Sequence, residues 1–279
     1  MKITPVAAES LGVRSMALHV ETADTRIFID PAAALGPQRY GLQPHPRELD
    51  ALDEAEQRIA GMLDTTDIVA ITHYHYDHVA RDGAIYNGKT IYAKATDSHV
   101  NKSQQQRGTA FADQLDDAQP VSGDGHTYEH GDTTLQFSPP MPHGPPGTRL
   151  GYVTMLTVRA GQQSLLYTSD VQGPVDDAAA DYIIHEQPDI VIADGPPTYL
   201  IGWRFSRANL EKAEAHMCRI MDETGCRLLL DHHLLRDPRY REQLPRLYSR
   251  HGERIQSYAE YLGLENRLLE ARRKQLWQE

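Results

Sequence analysis

The stretch Thr72-His73-Tyr74-His75-Tyr76-Asp77-His78 places three imidazoles and a carboxylate within six consecutive positions. It directly follows the apolar run Asp67-Ile68-Val69-Ala70-Ile71, which is typical of a buried strand. Such a polar loop contributes nothing to packing, and its imidazoles would repel one another if they were protonated. The pattern His-x-His-x-Asp-His therefore indicates a metal-binding loop at the end of a strand, rather than a fortuitous His-rich surface turn.

The length and charge of the chain limit the class of protein. Its 279 residues suit one large α/β domain, and no Gly/Ser-rich or charged linker divides them, so we expect a single domain over 1–279. The formal net charge of -11 argues against a broad electrostatic grip on nucleic-acid backbone. A small-molecule substrate is therefore favoured over RNA, and nothing in the sequence indicates an oligomeric state.

Targeting and redox features are few. No apolar run is long enough to cross a bilayer and the N-terminus lacks an extended apolar core, so we expect a cytoplasmic protein without a membrane partner. The two cysteines, Cys218 and Cys226, lack a C-x-x-C spacing. They are predicted to be packed thiols rather than a disulfide or a zinc knuckle.

Apolar periodicity predicts mostly strands in the first half of the chain and alternating strands and helices in the second. The predicted strands are 15–21, 26–30, 67–71, 133–137, 150–159, 164–168, 190–193 and 227–230. The predicted helices are 48–62, 176–187, 206–224 with Ser206 as N-cap, 238–250, and about 253 to the end. The polar segment 97–117 is predicted to be either a partly exposed helix or a mobile flap. This order suits two sheets with helices outside.

Further candidate ligands follow other predicted strands. A dinuclear centre needs about six or seven ligands, so the loop at 73–78 is not sufficient. His143 lies in the Pro/Gly-rich loop 139–147, Asp170 follows the strand 164–168, and Asp231-His232-His233 follows the strand 227–230. Because side chains at strand ends can reach an open edge of a sheet, we expect these groups to meet the loop at one rim.

These residues, in this order, resemble the metallo-β-lactamase superfamily. The matches span nearly the whole chain and comprise Asp30, His73, His75, Asp77, His78, His143, Asp170 and His232. Three stretches look more specifically like an archaeal branch of that superfamily, a likeness that brings no substrate with it. They are Ala8-Glu9-Ser10-Leu11-Gly12-Val13-Arg14-Ser15, the segment from Asp30-Pro31 to Arg39-Tyr40-Gly41-Leu42, and Asp231-His232-His233-Leu234-Leu235-Arg236-Asp237.

The resemblance implies a four-layer αββα sandwich, of mixed α/β class, with two metal ions at its rim. One ion would be held by His73, His75 and His143, and the other by Asp77, His78 and His232, with Asp170 bridging them. His232 and His233 compete for one ligand position, and motif alignment favours His232. Asp30, Asp231 and His233 are expected to lie next to the ligands and to orient them without binding an ion themselves. The alternative for Asp30 is an Asp-Pro turn.

The chemistry expected of such a site is hydrolysis. A water between two ions would bind as hydroxide near neutral pH, while the ions polarise the bond under attack. Asp77 is the candidate catalytic residue, because it could take or pass a proton while ligating. Zinc suits these ligands best, although iron or manganese would accept the same set. A phosphoester or phosphodiester is the preferred substrate, with a lactone, thioester or amide behind it.

Two other functions stay open for this fold. The first is an iron-dependent oxidoreductase that resembles sulfur dioxygenases; di-iron relatives usually carry a glutamate where this chain has His75. The second is a metal-stabilised binding protein without turnover, which a complete ligand set argues against, because structural zinc sites close at four ligands. A ribonuclease role is possible by fold and disfavoured by the acidic composition.

Substrate-binding residues are harder to identify from sequence. The segment 194–204 follows a predicted strand and carries Tyr199 and Arg204, which are candidates for lining a substrate pocket; a structural loop is an equal alternative. Arg14 and Arg39 are further candidates for binding an anionic substrate. The remaining histidines lack partners at ligand spacing and are interpreted as ordinary residues.

Overall fold

Two β-sheets form the centre of the computed structural model, which describes residues 1–116 and 119–279. The first sheet holds six strands in the spatial order β1 to β6, and its antiparallel first half (β1 to β3) gives way to a parallel second half. These strands are Lys2–Ala8, Met16–Glu21, Arg26–Ile29, Ile68–Ile71, Thr90–Ala93 and Val121–Ser122.

The second sheet contains seven of the nine remaining strands. Strands β7 to β15 are Thr127–His130, Thr133–Phe137, Met141–Pro142, Tyr152–Val153, Leu156–Ala160, Gln163–Tyr167, Ile190–Ala193, Arg227–Leu230 and Ile255–Gln256. Their order in the sheet is β15-β14-β13-β12-β11-β8-β7, with β12 to β15 parallel, while β9 and β10 pair only with each other. Both sheets therefore present several parallel strands whose carboxyl ends lie at one edge.

Helices cover the outer faces of the sheets. Helices α1 to α8 are Pro46–Leu63, Lys102–Ala112, Asp177–Glu186, Arg207–Thr224, Tyr240–Gln243, Pro245–His251, Tyr258–Tyr261 and Arg273–Leu276. Short 3₁₀ turns occupy Glu9–Leu11, Gly83–Tyr86, Thr198–Leu200, Leu234–Arg236 and Gly252–Arg254. Within the described residues, no helix combines the length and the apolar character needed to cross a membrane.

Alternating side chains on the strands produce four layers. Ile27 and Ile29 of β3 pack between the sheets against residues of β8 and β11, whereas Phe28 packs outward against α1. In the second sheet, Leu165 faces the first sheet, and Leu166 packs against the helical layer of α3 and α4. The fold is thus the expected αββα sandwich of mixed α/β class.

Most predicted elements are confirmed, with small shifts at their ends. The early hairpin, the strand before the metal loop and the two strands at 190–193 and 227–230 are present. Ser206 caps α4 as predicted, because its Oγ accepts a hydrogen bond from the Asn209 amide (3.0 Å). Both cysteines are free thiols. The segment 97–117 is a partly exposed helix only over Lys102–Ala112, and its last residue, 117, lies outside the described residues.

Three predicted elements are wrong in extent or type. The strand 150–159 is two strands, because the chain changes partners between β10, which pairs with β9, and β11, which pairs with β8. The helix 238–250 is divided before Pro245. The helix from about 253 to the end is instead a short strand, two four-residue helices and turns, with Gly263 at a φ of 72°. Strands β1, β5, β6, β7 and β9 were not predicted.

The C-terminal segment is held by buried ion pairs rather than by helical periodicity. Arg273 binds Glu48 of α1 through two hydrogen bonds of 2.7 and 2.8 Å, and both side chains are fully buried. Arg14 likewise binds Glu270 through two hydrogen bonds, each 2.6 Å long. These contacts explain why local sequence signals misjudge the segment: its conformation is set by residues more than 200 positions away.

Acid stability tests the Arg14–Glu270 pair. Burial raises the pKa of Glu270, but the hydrogen bonds and charge of Arg14 outweigh it and lower the pKa to about 2. Because the folded-state pKa lies below the unfolded one, this stabilisation is complete above pH 4.5 and is lost as the pH falls towards 2. We expect Glu270→Gln to lower the free energy of unfolding at pH 7 by about 2–3 kcal/mol. In urea titrations, the difference in the free energy of unfolding between variant and wild type should shrink towards zero as the pH falls to 2.

The matched control is Glu54→Gln, which removes a carboxylate from an exposed pair with Arg267. Exposed pairs contribute little, so this variant should follow the wild type at every pH. If the difference in the free energy of unfolding between Glu270→Gln and wild type stayed constant from pH 7 to pH 2, the stabilisation could not be assigned to the Arg14–Glu270 pair.

Candidate metal centre

The candidate site lies at the rim where the carboxyl ends of the parallel strands meet. The loop 72–78 follows β4, Asp170 follows β12, and His232 and His233 follow β14. His143 comes from the loop after β9, whose backbone is tied to Gly151 (His143 N to Gly151 O, 3.0 Å). The fold therefore brings to one place all four segments that the sequence singled out.

Asp170 is the centre of this cluster. Its carboxylate is buried, 1% exposed, and five imidazole Nε2 atoms surround it. Their distances to the nearer carboxylate oxygen are 3.1 Å for His143, 3.3 Å for His78, and 3.5 Å for each of His73, His232 and His233.

Two groups of donors lie on either side of Asp170. In the first, His75 Nδ1 is 3.0 Å from His73 Nε2 and 3.3 Å from His143 Nε2. In the second, His232 Nε2 is 3.3 Å from His78 Nε2 and 3.7 Å from Asp77 Oδ2. The donor atoms within each group lie within 4.8 Å of one another. This grouping matches the two ligand sets that the resemblance implies.

The donor set fits divalent metal ions. Donors about 2.0–2.1 Å from a tetrahedral ion lie roughly 3.3 Å from one another, which is close to the separations within both groups. The Oδ1 atom of Asp170 is buried and accepts no hydrogen bond from the described residues, although His78 Nε2 is 3.3 Å away. A buried carboxylate oxygen without a donor is costly unless a cation compensates it. Imidazole and carboxylate donors suit zinc, iron and manganese alike.

Carboxylates behind the imidazoles orient three of the rings. Asp30 Oδ2 is 2.8 Å from His78 Nδ1, Glu9 Oε2 is 2.8 Å from His232 Nδ1, and Asp194 Oδ2 is 2.8 Å from His233 Nδ1. Each contact places the Nδ1 proton on the carboxylate side and leaves Nε2 free to act as a donor atom towards a metal. The three carboxylates and the three rings are all buried.

Asp30 also fixes the backbone of the metal loop. Its carboxylate accepts hydrogen bonds from the amide and the hydroxyl of Thr72 (2.8 and 2.5 Å) and from the Tyr167 hydroxyl (2.9 Å). Asp30, Ser169 and His232 adopt φ values of 46°, 57° and 40°, in the left-handed region that non-glycine residues rarely occupy. Such strained backbone commonly clusters at functional sites, where the surrounding structure holds it in place.

Helix α2 closes one side of the loop. The buried side chain of Gln104 accepts a hydrogen bond from the Tyr74 amide (3.2 Å) and donates one to the Leu150 carbonyl (2.7 Å). Arg107 donates to the Tyr74 carbonyl (2.7 Å). The polar character of this helix thus reflects its contacts with the two loops that carry His75 and His143.

Burial and charge set the protonation of the cluster. Burial lowers the pKa of His73 to about 4. At His232, burial also lowers the pKa, but the charges of Glu9 and Asp170 outweigh it and raise the value to about 9. Burial raises the pKa of Asp77, yet the positive charges of His78, His232 and Arg236 bring it well below its ordinary value. The carboxylate of Asp77 is therefore ionised across the physiological range.

The residues predicted to orient the ligands make different contacts. The rings of His232 and His233 both reach Asp170, and His232 also lies beside His78 and Asp77. Asp231 contacts no imidazole; it accepts hydrogen bonds from the backbone amides of Ser10, His232 and Tyr258 at 2.9–3.0 Å, which positions the strand end.

The candidate substrate-binding residues also differ in their contacts and in their distance from the cluster. Tyr199 is half-buried, and its hydroxyl lies 3.3 Å from Arg236, which in turn lies 3.5 Å from Asp77. Arg204 is exposed and stacks on Trp203, 4.1 Å from the ring centroid. Arg14 is occupied by Glu270.

Sequence reasoning missed Glu9, Asp194 and Arg236. Asp194 had a usable signal, because it directly follows a predicted strand, as Asp170 does. Glu9 and Arg236 had no such signal in the sequence. Glu9 contacts His232 from 223 positions away, and both residues lie in stretches that only suggested the archaeal branch of the superfamily.

Comparisons with known proteins place the chain among similar sequences and folds. A family model described as a beta-lactamase superfamily domain matches residues 12–202. A UPF0282 protein of Methanopyrus kandleri is 42% identical over 291 aligned residues, which cover 99% of both chains. A UPF0282 protein of Methanocaldococcus jannaschii is 40% identical and covers 100% of this chain and 97% of its own length.

Solved structures resemble the fold at low sequence identity. The metallo-beta-lactamase fold protein YhfI from Bacillus subtilis aligns with a TM-score of 0.53 at 15% identity, covering 88% of this chain and 92% of its own. Unliganded yeast PDE1 aligns with a TM-score of 0.55 at 15% identity, covering 91% and 96%. An isothiocyanate hydrolase from Delia radicum gut bacteria aligns with a TM-score of 0.52 at 17% identity, covering 91% and 95%. At these identities the likeness establishes the fold and no activity.

Neutralising Glu9, whose carboxylate contacts His232 Nδ1, tests whether it orients that ring. We expect Glu9→Gln to weaken the affinity for one divalent ion by roughly 10–100-fold, because the Nδ1 proton of His232 loses its charged acceptor. The measurement is a zinc titration against a chromophoric chelator. Glu186→Gln serves as control, since Glu186 is also a buried carboxylate but pairs with Arg159, outside the cluster. Equal losses in the two variants would contradict a specific role for Glu9.

Proposed function

Because this chain belongs to the beta-lactamase superfamily, and within it to the UPF0282 family of archaeal proteins, we propose that it is a metal-dependent hydrolase. Its substrate would be a small phosphoester or phosphodiester, or another ester-type molecule. Two divalent ions, zinc in the first instance, would serve as cofactors.

The observation that carries this proposal is the position of Asp170 between two complete donor groups. His73, His75 and His143 would hold one ion, and Asp77, His78 and His232 would hold the other, with one carboxylate shared between them. A purely structural zinc site closes at four protein ligands, whereas a bridging carboxylate with ligands on both sides is suited to a pair of ions. Ions bound there would supply an activated water and polarise the bond under attack.

The protein side chains would divide the remaining work. Asp77 lies on the open side of the cluster, with 17% of its side chain exposed, whereas the side chains of His73, His78 and His232 are fully buried. Its ionised carboxylate would therefore accept a hydrogen bond from the attacking water and orient it, because the positive charges that lower its pKa make it a weak base. Arg236, whose Nη2 lies 3.5 Å from Asp77 Oδ2, would hold that carboxylate in position.

The preference for an anionic ester rests on the arginines around the opening. Tyr76 lies in sequence between the two partly exposed candidate ligands His75 and Asp77. The centroid of its ring is 3.7 Å from Arg81 Cζ and 5.2 Å from Arg107 Cζ. In a chain with a net charge of -11, this local positive charge favours a phosphate-bearing substrate over a neutral one. The overall acidity disfavours a long RNA backbone, so we propose a small molecule.

Metal analysis with an assay panel tests the cofactor and the reaction class together. The isolated protein should carry two equivalents of divalent ion and should hydrolyse generic phosphodiesters faster than lactones or thioesters. It should consume no oxygen. Iron together with oxygen consumption would support a sulfur-dioxygenase-like reaction instead, and bound ions without turnover on the whole panel would support a binding protein.

Asp170→Asn tests the shared ligand directly. The substitution removes the only proposed bridge, so we expect loss of one or both ions and at least a hundredfold fall in kcat/KM, as roughly expected for a group that organises the whole site. Metal content by elemental analysis and initial rates are the measurements. Asp189→Asn is the matched control, because Asp189 precedes β13 at the opposite end of the sheet and accepts hydrogen bonds from Ser164. Full metal and full turnover in Asp170→Asn would refute the bridge.

A further inference from the structure

Arg39 occupies a two-residue hairpin at the edge of the metal centre. Arg39 and Leu42 exchange both backbone hydrogen bonds (3.0 and 2.9 Å), and Tyr40 and Gly41 between them have φ values of 57° and 75°, as in a type I′ turn. The Tyr40 hydroxyl donates to the Ala271 carbonyl (3.0 Å), which anchors the turn. The backbone that presents Arg39 is therefore fixed.

Two tyrosine rings hold the Arg39 guanidinium between them. Its Cζ lies 4.8 Å from the ring centroid of Tyr40 and 4.5 Å from that of Tyr199. Stacking of this kind restricts the side chain and leaves the edge of the guanidinium, where its N–H groups point, available for planar hydrogen bonding.

Arg39 differs from the other arginines near it in having no carboxylate partner. Arg14 is paired with Glu270, and Arg236 with Glu9. In the described residues, the Arg39 guanidinium makes one hydrogen bond, from Nη2 to the Arg236 carbonyl (3.1 Å), and forms no ion pair. A half-buried, stacked and unpaired guanidinium is an unused site for an oxyanion.

A short chain of contacts connects this guanidinium to the metal centre. The Tyr199 ring that stacks on Arg39 carries a hydroxyl 3.3 Å from Arg236 Nη1, and Nη2 of the same Arg236 lies 3.5 Å from Asp77 Oδ2. Two contacts therefore separate the Tyr199 hydroxyl from a proposed ligand on the open side of the site. A substrate that extends from the ions past Arg236 would meet Tyr199 and then Arg39.

We propose that Arg39 and Tyr199 form a recognition site for an oxyanion of the substrate, a phosphoryl or carboxylate group separate from the bond that is hydrolysed. Arg39 would donate two hydrogen bonds to it, and the Tyr199 hydroxyl a third. This inference deepens the proposed function and rests on it for the identity of the reaction, while the anion site itself can be measured without turnover.

Calorimetric titration of the full-length, metal-loaded protein with inorganic phosphate tests the site, and a parallel titration with acetate separates phosphoryl from carboxylate recognition. Arg39→Met should weaken the binding of the preferred anion by roughly tenfold or more, since charge-assisted bidentate hydrogen bonds are lost. Tyr199→Phe should weaken it by a smaller factor. Arg241→Met is the matched control, because Arg241 also stacks against two tyrosines, Tyr240 and Tyr248, but is paired with Glu260.

The same titration in Asp170→Asn separates the two proposals. Binding that persists there and still depends on Arg39 would support the anion site even if the hydrolase proposal failed. Should Arg39→Met not fold, Arg39→Lys keeps the charge without the planar fork and should still bind the anion less tightly than wild type. Affinity unchanged in Arg39→Met or Arg39→Lys, or lowered equally in Arg241→Met, would overturn the inference, as would wild type that binds neither anion.

Discussion

The arrangement of five imidazoles around the buried carboxylate of Asp170 is the constraint on which the rest of the structure depends. Five imidazoles this close to one carboxylate would repel one another if all were protonated, and would leave lone pairs facing one another if all were neutral. Divalent cations bound there would resolve both problems at once. The buried carboxylates of Asp30, Glu9 and Asp194 behind the rings fit this explanation, since each fixes a ring so that Nε2 faces the cluster.

The sandwich architecture supplies the rigidity that this cluster requires. Parallel strands in both sheets end at the same rim, so the backbone direction of each ligand segment is set by a buried strand. The left-handed conformations of Asp30, Ser169 and His232 are tolerated because hydrogen bonds and packing on all sides hold them. Distant segments complete the support, as when Asp231 ties the end of β14 to the amides of Ser10 and Tyr258.

Local charge at the opening contrasts with the acidic character of the whole chain. Arg81 and Arg107 flank Tyr76, and Arg39 stacks beside Tyr199 with no carboxylate partner among the described residues. A net charge of -11 repels polyanions at long range, while a few arginines at short range can still bind one compact anion. This combination favours the proposed small anionic substrate over a nucleic-acid strand.

The sequence by itself determined the elements that have a local signal. The metal loop, Asp170 and His232 each follow an apolar strand. Apolar patterns predicted strands β2 to β4 of the first sheet, most of the second sheet and the helices α1, α3 and α4. Only the tertiary structure decided which groups meet. The sequence does not distinguish Arg14 from Arg39, yet Arg14 forms an ion pair with Glu270, whereas Arg39 forms none among the described residues. Glu9 reaches His232 from 223 positions away. The C-terminal segment was misjudged for the same physical reason, because its conformation follows from long-range ion pairs such as Arg273–Glu48, whose energy no local pattern encodes.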